Sequence, residues 1–274
     1  MSVVELMEKR RSVRNYTGEP LSKEHTDAIT NHISGLKSQF GAEVRIEFIH
    51  TKTDNGPIQL GTYGFIKGAS DFLTLSYKDS SLAEESAAYL FEQVILFCTG
   101  LGLGTCWLGG SFSRKAFKGQ LSLEPEERLR IVSPVGYPSD KRHLIEKLMG
   151  AEKNHKSRKP FGAFFFNTNF STPLTEEAAG IYKTPLEMVR IAPSANNSQP
   201  WRILFDDNAI HFYHYPPAIG GFSATDIGIA LCHFEQSCIE LGIIGQFRVL
   251  DTPVDSAVPK NYLYTISWLS TPLL

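Results

Sequence analysis

Two stretches of equal length organise this sequence: SAAYLFEQVILFCTGLG at 86–102 and DIGIALCHFEQSCIELG at 226–242. Aligned without gaps, they place a cysteine on a cysteine, and both end in Leu-Gly. Each is apolar over most of its length, and the two belong to long helices predicted at about 82–99 and at 226–241. The FEQ triplets at 91–93 and 234–236 lie out of this register, so we regard them as coincidental. The alignment predicts an internal duplication; the alternative is that the similarity of the two stretches is also coincidental.

Shorter patterns predict the elements around these two helices. Further helices are expected at 22–40, between an N-cap serine and a stopping glycine, and at 175–190. Several strands follow one another without a helix between them, which favours an α+β fold with mixed or antiparallel sheets flanked by helices over βαβ winding. These strands are expected at 45–50, 71–77, 128–138, 246–251 and 262–269, with two more inside 201–215.

A polar, basic segment at 149–160 shows no periodic pattern and is the best candidate for a linker. It divides the chain into two predicted halves, 1–150 and 151–274. The similar pentapeptides PLSKE at 20–24 and PLTEE at 173–177, each in front of a predicted helix, agree with two pseudo-symmetric halves.

The composition is that of a soluble globular protein: of 274 residues, 42% are hydrophobic and 20% are charged. The net charge of −2 gives no reason to expect nucleic acid or an anionic membrane as a partner. The four cysteines form no CxxC pair. His211 and His214 lie three residues apart on a predicted strand and therefore point to opposite faces, so no metal site is expected. The N-terminus is charged too early for a signal peptide. A reduced, cytoplasmic protein is the simplest prediction.

The segment KRRSVRNY at 9–16 crowds four cations and Ser12 into a short stretch. Guanidinium groups match phosphate oxygens in a bidentate manner, and a serine hydroxyl adds one further donor. The segment therefore indicates a small-molecule phosphate site. The alternative is a solvated, basic N-terminal turn.

The segment APSANNSQPW at 192–201 carries hydroxyl and amide side chains but no acid, base or thiol. Prolines near both ends restrict the loop and lower the entropy lost when it is held in place. Such a loop suits a neutral ligand edge that both donates and accepts hydrogen bonds. The alternative is a proline-bounded turn with a helix N-cap.

The segment GTCWLGGSF at 104–112 has two adjacent glycines after a large aromatic residue. Glycines without a Cβ allow the backbone to approach a flat ligand closely. The segment is not a dinucleotide-binding fingerprint, because its glycines follow a helix and lack the GxGxxG spacing. The alternative is an ordinary loop after a helix.

Taken together, these stretches resemble the motifs of the FMN-dependent nitroreductase family. The matching elements are RRSVRNY at 10–16, GLGTCWLGG at 102–110, VGYPSDKR at 135–142 and APSANNSQPW at 192–201. In ordinary members the amide loop follows shortly after the arginine motif, whereas here it comes after the glycine turn. The chain therefore resembles the tandem, single-chain branch of the family, in which one polypeptide folds like the family's homodimer and can be a monomer.

This resemblance implies one intact FMN site per chain, between the halves. The mirror-related site should be lost, because GAFFFN at 162–167 cannot hold a phosphate. By resemblance, Arg10, Arg11 and Ser12 bind the phosphate or ribityl chain, and Arg14 reaches the N1/O2 edge of the flavin. The other implied contacts are backbone N–H groups of Leu108, Gly109 and Gly110 near N5, either Lys141 or Arg142 at the phosphate, and Pro193, Ser194, Ala195, Asn196, Asn197 and Gln199 at the polar ring edge.

The implied activity is reduction of nitroaromatic or quinone-like small molecules by NAD(P)H, with ping-pong hydride transfer through flavin N5 and no protein residue acting as acid or base. Two alternatives remain open at this point. One is a flavin-binding protein for storage or sensing that does not turn over. The other is a binding module for a different phosphorylated metabolite.

Overall fold

Contacts divide the chain into two compact units in this computed structural model. Unit 1 comprises Met1 and Lys9–Asn154, and unit 2 comprises Ser2–Glu8 and His155–Leu274. Residues 2–8 therefore group with unit 2, although they precede unit 1 in the sequence. The duplicated halves at 1–150 and 151–274 stay a prediction. The structure describes residues 1–38, 40–53, 56–57, 60–139, 158–206, 209–216, 221–251 and 258–270.

Unit 1 is built on an antiparallel sheet of strand order β1-β4-β6-β5, with the long helix α3 packed against it and α2 packed on α3. Strand β4 is buried along nearly its whole length, as expected for a strand between two others and under a helix. The elements are α2 (Lys23–Gly35), β1 (Val44–His50), β2 (Lys52–Thr53), β3 (Gly56–Pro57), β4 (Asp71–Lys78), α3 (Ala83–Gly100), β5 (Gly104–Thr105), α4 (Arg114–Lys118) and β6 (Glu127–Gly136). Strands β2 and β3 form a separate small ribbon.

Unit 2 is built on a sheet of strand order β10-β11-β9-β8-β7, in which β7 and β8 are parallel and the other pairs are antiparallel. Helix α6 packs on β8 and β9, and α5 packs on α6. The elements are β7 (Phe165–Asn167), α5 (Lys183–Ile191), β8 (Trp201–Phe205), β9 (Ile210–His214), α6 (Ser223–Glu240), β10 (Gly245–Arg248) and β11 (Leu263–Ser270). The N-terminal helix α1 (Val3–Lys9) contributes all but its last residue to this unit.

The two sheets share one topology. The order β1-β4-β6-β5 corresponds to β8-β9-β11-β10, and the long helix follows the second strand of each set. Both long helices contain 18 residues and end before a glycine with positive φ, +76° at Gly102 and +70° at Gly242. Topology and helix ends therefore support the predicted duplication, and the predicted α+β class with antiparallel and mixed sheets is confirmed.

Two predicted helices differ at their ends. Helix α5 begins at Lys183 rather than at 175, because Pro185 lacks an N–H group and is tolerated only in the first turn of a helix. Helix α2 ends at Gly35 rather than at residue 40, because glycine is a weak helix former. The next residue, Leu36, already has an extended backbone. The predicted N-cap of α2 is confirmed, since the Ser22 hydroxyl accepts the His25 N–H at 3.2 Å.

Among the described residues, none of the helices has both the length and the apolar character needed to cross a bilayer.

Candidate functional site

The arginine segment lies extended along the edge of the unit 1 sheet. The Val13 N–H donates to the Thr105 carbonyl at 2.8 Å, next to a parallel bridge between Ser12 and Thr105. On its other side, the Lys67 N–H donates to the Arg14 carbonyl at 2.9 Å. These bonds bring the arginine motif directly beside the start of the glycine motif.

Gly104 is required for this close approach. A Cβ at position 104 would lie 2.8 Å from the Cβ of Val13, closer than real Cβ contacts allow. Along the segment, Val13 and Tyr16 are buried while Ser12 and Arg14 are half-buried and Arg11 is exposed. The apolar side chains therefore anchor the segment, and its polar side chains lie on the more accessible side.

Arg10 is turned into a buried network. Its side chain is 4% exposed, and its Nε lies 3.9 Å from Oε1 of Glu92, a fully buried residue of α3. Glu92 Oε2 also accepts the Trp107 Nε1–H at 2.9 Å. Burial lowers the pKa of Arg10, while the nearby Glu92 and, to a smaller extent, Cys106 oppose this effect. Within the part of the chain that the structure describes, Nε and Nη1 of Arg10 have no hydrogen-bond partner.

The glycine turn corrects one prediction. The Leu108 N–H donates to the Val132 carbonyl at 2.9 Å, so it is used in the sheet and is not available to a ligand. The Leu108 side chain is buried in the apolar core of unit 1. Gly109 is half-buried and Gly110 is exposed, and neither N–H donates to a backbone carbonyl among the described residues. The turn is therefore anchored by Leu108, and its two glycines remain the candidates for ligand contact.

The amide loop of unit 2 has a strained backbone. Three of its residues have positive φ: Asn196 at 52°, Asn197 at 55° and Gln199 at 51°. Asparagine tolerates this conformation, but for glutamine it costs roughly 1–2 kcal/mol. Such strain persists only where surrounding contacts impose it, and it is frequent in segments that clamp ligands.

Asp226 holds this loop through hydrogen bonds from α6. It lies in the first turn of α6 and is 2% exposed. Its Oδ1 accepts the Ala195 N–H at 2.9 Å, and its Oδ2 accepts the Ser198 hydroxyl at 3.3 Å. Sequence analysis missed this role, although an acid in the first turn of a predicted helix is a recognisable partner for nearby N–H groups.

The side chain of Gln199 is also held inside unit 2. It is 2% exposed, its Oε1 accepts the Lys159 N–H at 3.0 Å, and its Nε2 donates to the Asn197 carbonyl at 2.9 Å. Both ends of the amide therefore help to hold the loop, and the contact of Gln199 with the ring edge stays a prediction. Asn197 Oδ1 accepts from the Arg158 guanidinium.

Asn196 is the exposed tip of the loop, whereas Ser194 and Ala195 are half-buried and Pro193 is buried. The Ser194 hydroxyl oxygen accepts the Gln199 N–H at 3.0 Å and keeps its own proton for a further bond. The predicted phosphate contacts Lys141 and Arg142 lie outside the described residues.

Comparisons with known proteins identify the family and the fold of the chain. The family model described as "Putative TM nitroreductase" matches residues 2–238. No curated protein matches the chain. A solved structure of a "putative nitroreductase" from Thermotoga maritima MSB8 is 19% identical and has the same fold, with a TM-score of 0.62 over 99% of this chain and 95% of that chain.

Smaller solved nitroreductases match about half of this chain. One, from Bacteroides fragilis NCTC 9343 and described with bound FMN, is 17% identical over 53% of this chain and 92% of its own, with a TM-score of 0.42. An "FMN-dependent Nitroreductase" from Clostridium difficile R20291 is 19% identical over 50% of this chain and 88% of its own, with a TM-score of 0.41. On the match of the family model over residues 2–238, this chain belongs to that nitroreductase family.

Proposed function

We propose that this protein is an FMN-dependent oxidoreductase that uses NAD(P)H to reduce nitroaromatic or quinone-like small molecules. The observation that carries the proposal is the junction of two motifs in unit 1. The arginine segment is hydrogen-bonded to β5, where the glycine motif begins, and Arg10 is linked through Glu92 to Trp107 of that motif.

The residues of unit 1 fit an anionic cofactor. Arg10 is a buried cation in which two nitrogens, Nε and Nη1, donate no hydrogen bond among the described residues, an arrangement that costs free energy unless an anion or another acceptor reaches it. Arg11, Ser12 and Arg14 follow on the same segment and are more accessible. We assign the phosphate and ribityl chain of FMN to Arg10, Arg11 and Ser12, and the N1/O2 edge of its ring to Arg14.

The remaining contacts are assigned from the motifs. The N–H groups of Gly109 and Gly110, which donate to no backbone carbonyl among the described residues, are assigned to the ring near N5. From the amide loop, the side chains of Ser194, Asn196 and Asn197 are assigned to the polar ring edge by resemblance, with Pro193 and Ala195 contributing backbone. FMN held there would supply the hydride-transfer chemistry at its N5, and the part of these residues would be to bind, orient and tune the cofactor.

The first experiment is the absorbance spectrum of the purified protein, with release of flavin on denaturation. Bound FMN, together with NADH or NADPH oxidation that depends on menadione or a nitrofuran, is the expected result. Absence of flavin and failure to bind added FMN would contradict the proposal. Bound FMN that neither nucleotide reduces would favour the storage or sensing alternative.

A matched pair of arginine variants tests the assignment of Arg14. A fixed cation at the N1/O2 edge stabilises the negative charge of the reduced ring, so Arg14→Ala should lower the flavin reduction potential. Arg128→Ala is the control, because Arg128 is exposed and paired with Asp79 away from the motifs. An unchanged potential in Arg14→Ala would show that Arg14 does not contact the ring.

A further inference from the structure

Glu92 is a buried carboxylate shared by two motif segments of unit 1. Its Oε1 lies 3.9 Å from Nε of Arg10, in the arginine segment, and its Oε2 accepts the Trp107 indole N–H at 2.9 Å, in the glycine motif. The Glu92 side chain is fully buried and the Arg10 side chain is nearly so. Charge and hydrogen bonding at Glu92 thus act on both segments at once.

The contact between Glu92 and Arg10 is electrostatic without a hydrogen bond. A separation of 3.9 Å exceeds hydrogen-bond distance, whereas the bond from Trp107 to Glu92 has ordinary geometry. A guanidinium has five N–H donors, and in Arg10 both Nε and Nη1 are unbonded among the described residues. Glu92 therefore balances the charge of Arg10 but leaves donor capacity for a second anion.

We propose that Glu92 is the internal counter-ion of Arg10: it holds the guanidinium while no ligand is bound and weakens the binding of a phosphate group to it. The inference rests on the proposed function in one respect, that Arg10 meets the phosphate of a ligand. Two negative groups on one guanidinium repel each other, and this repulsion is strong where water is excluded. Glu92 is a positioning residue, since it acts on the ligand through Arg10.

Glu92→Gln is the direct test, because glutamine keeps the size of the side chain and an acceptor for Trp107 but removes the charge. Without a ligand, the variant should have a lower Tm than the wild type, because a buried cation loses its partner. With inorganic phosphate as the probe, the Tm of the variant should rise more steeply with phosphate concentration than the Tm of the wild type. Its Kd for phosphate should be about tenfold lower than that of the wild type. A role in packing alone would lower Tm without tightening phosphate binding.

The matched control is Glu84→Gln on the same helix. Glu84 Oε1 accepts from Nε and Nη2 of Arg130 at 3.0 and 2.9 Å, an ion pair that touches neither motif segment. This variant should also lose stability, but its Kd for phosphate should equal that of the wild type. Equal or weaker phosphate binding in Glu92→Gln relative to the wild type would overturn the inference.

A second measurement covers the case in which Glu92→Gln does not fold. Phosphate bound to the Arg10 guanidinium changes the charge next to the Trp107 indole, so it should change the protein's tryptophan fluorescence. The variant Trp107→Phe should not show this change. Absence of a phosphate-dependent signal in the wild type would contradict the inference. Phosphate binding that follows these expectations in a protein that never binds FMN would refute the proposed function and leave the role of Glu92 standing.

Discussion

The helices α3 and α6 have the same place in the topology of their units, but their buried carboxylates serve different segments. Both contain 18 residues, and both end with matching hydrogen bonds, from Leu101 to Phe97 and from Leu241 to Ser237. In the gapless alignment, Glu92 of α3 corresponds to a cysteine, and Asp226 of α6 corresponds to a serine. The helices therefore share their ends and differ in where they carry charge.

This difference shows which features two similar units can keep and which they can change. The helix ends depend on backbone bonds and one glycine, which any sequence ending in Leu-Gly can form. A buried carboxylate is retained only where a particular donor satisfies it. In unit 1 these donors are Trp107 and the cation Arg10, and in unit 2 they are the Ala195 N–H and the Ser198 hydroxyl. Each charge is thus specific to the motif of its own unit.

The largest change in the free energy of unfolding is expected when α6 is given a glutamate at position 232, which corresponds to Glu92 of α3. Cys232 corresponds to Glu92 and is fully buried, so Cys232→Glu should lower the free energy of unfolding by about 4 kcal/mol at pH 8 through an unpaired buried carboxylate. Cys232→Gln is the neutral control of the same size, and chemical denaturation is the measurement. Burial raises the pKa of such a carboxyl group, so the folded state binds the proton more tightly. The difference between the two variants should therefore shrink as pH falls through that raised pKa.

Equal stability of these two variants at pH 8 would show that α6 accommodates a charge at position 232. The presence of a buried carboxylate at position 92 of α3 and its absence at position 232 of α6 would then not be explained by stability.

A smaller effect is expected from removing Asp226, the buried carboxylate of α6 that bonds to the amide loop. Asp226→Ala leaves the Ala195 N–H and the Ser198 hydroxyl without their acceptor and should cost about 3 kcal/mol of unfolding free energy. Ser86→Ala, the corresponding change in α3, removes one neutral bond to Ser38 and should cost about 1 kcal/mol. Urea denaturation of both variants gives the comparison, and equal losses would contradict the role of Asp226.

The smallest effect concerns the part that the helices share. Gly102→Ala and Gly242→Ala each place a Cβ on a backbone with positive φ, while that Cβ meets nothing within 4 Å in either case. The cost is therefore backbone strain alone, about 1 kcal/mol for each variant. Thermal unfolding should show two equal losses. A difference larger than about 0.5 kcal/mol would mean that the two helix ends are not equivalent.

Much of the fold could be predicted from sequence because its signals are local. The long helices, the Ser22 cap and most strands of both sheets follow from the spacing of apolar residues and from nearby capping groups, whereas the short strands β5 and β7 were not predicted. The start of α5 was predicted too early because its apolar period begins before Pro185 permits a helix. The parallel pairing of β7 with β8 could not be predicted, because the sequence of a strand does not specify which other strand it pairs with.

The motifs of the candidate site could also be recognised from sequence. The hydrogen-bond partner of each polar group within these motifs could not. Leu108 and Gln199 belong to the motifs, yet their hydrogen bonds are made to Val132 and to Lys159 and Asn197. Glu92 was overlooked because it lies within an apolar helix, where periodicity alone indicates only core. The assignments of FMN contacts stay predictions that the experiments above can test.

The sequence by itself determined the order of elements, the two similar long helices and the motifs that point to the nitroreductase family. These depend on residues close together in the chain, whose capping, periodicity and backbone preferences act locally. The tertiary structure alone decided which polar groups are already bonded, because a buried donor must find its acceptor wherever folding brings one. The pairing of Arg10 with Glu92 and the hold of Asp226 on the amide loop are of this second kind.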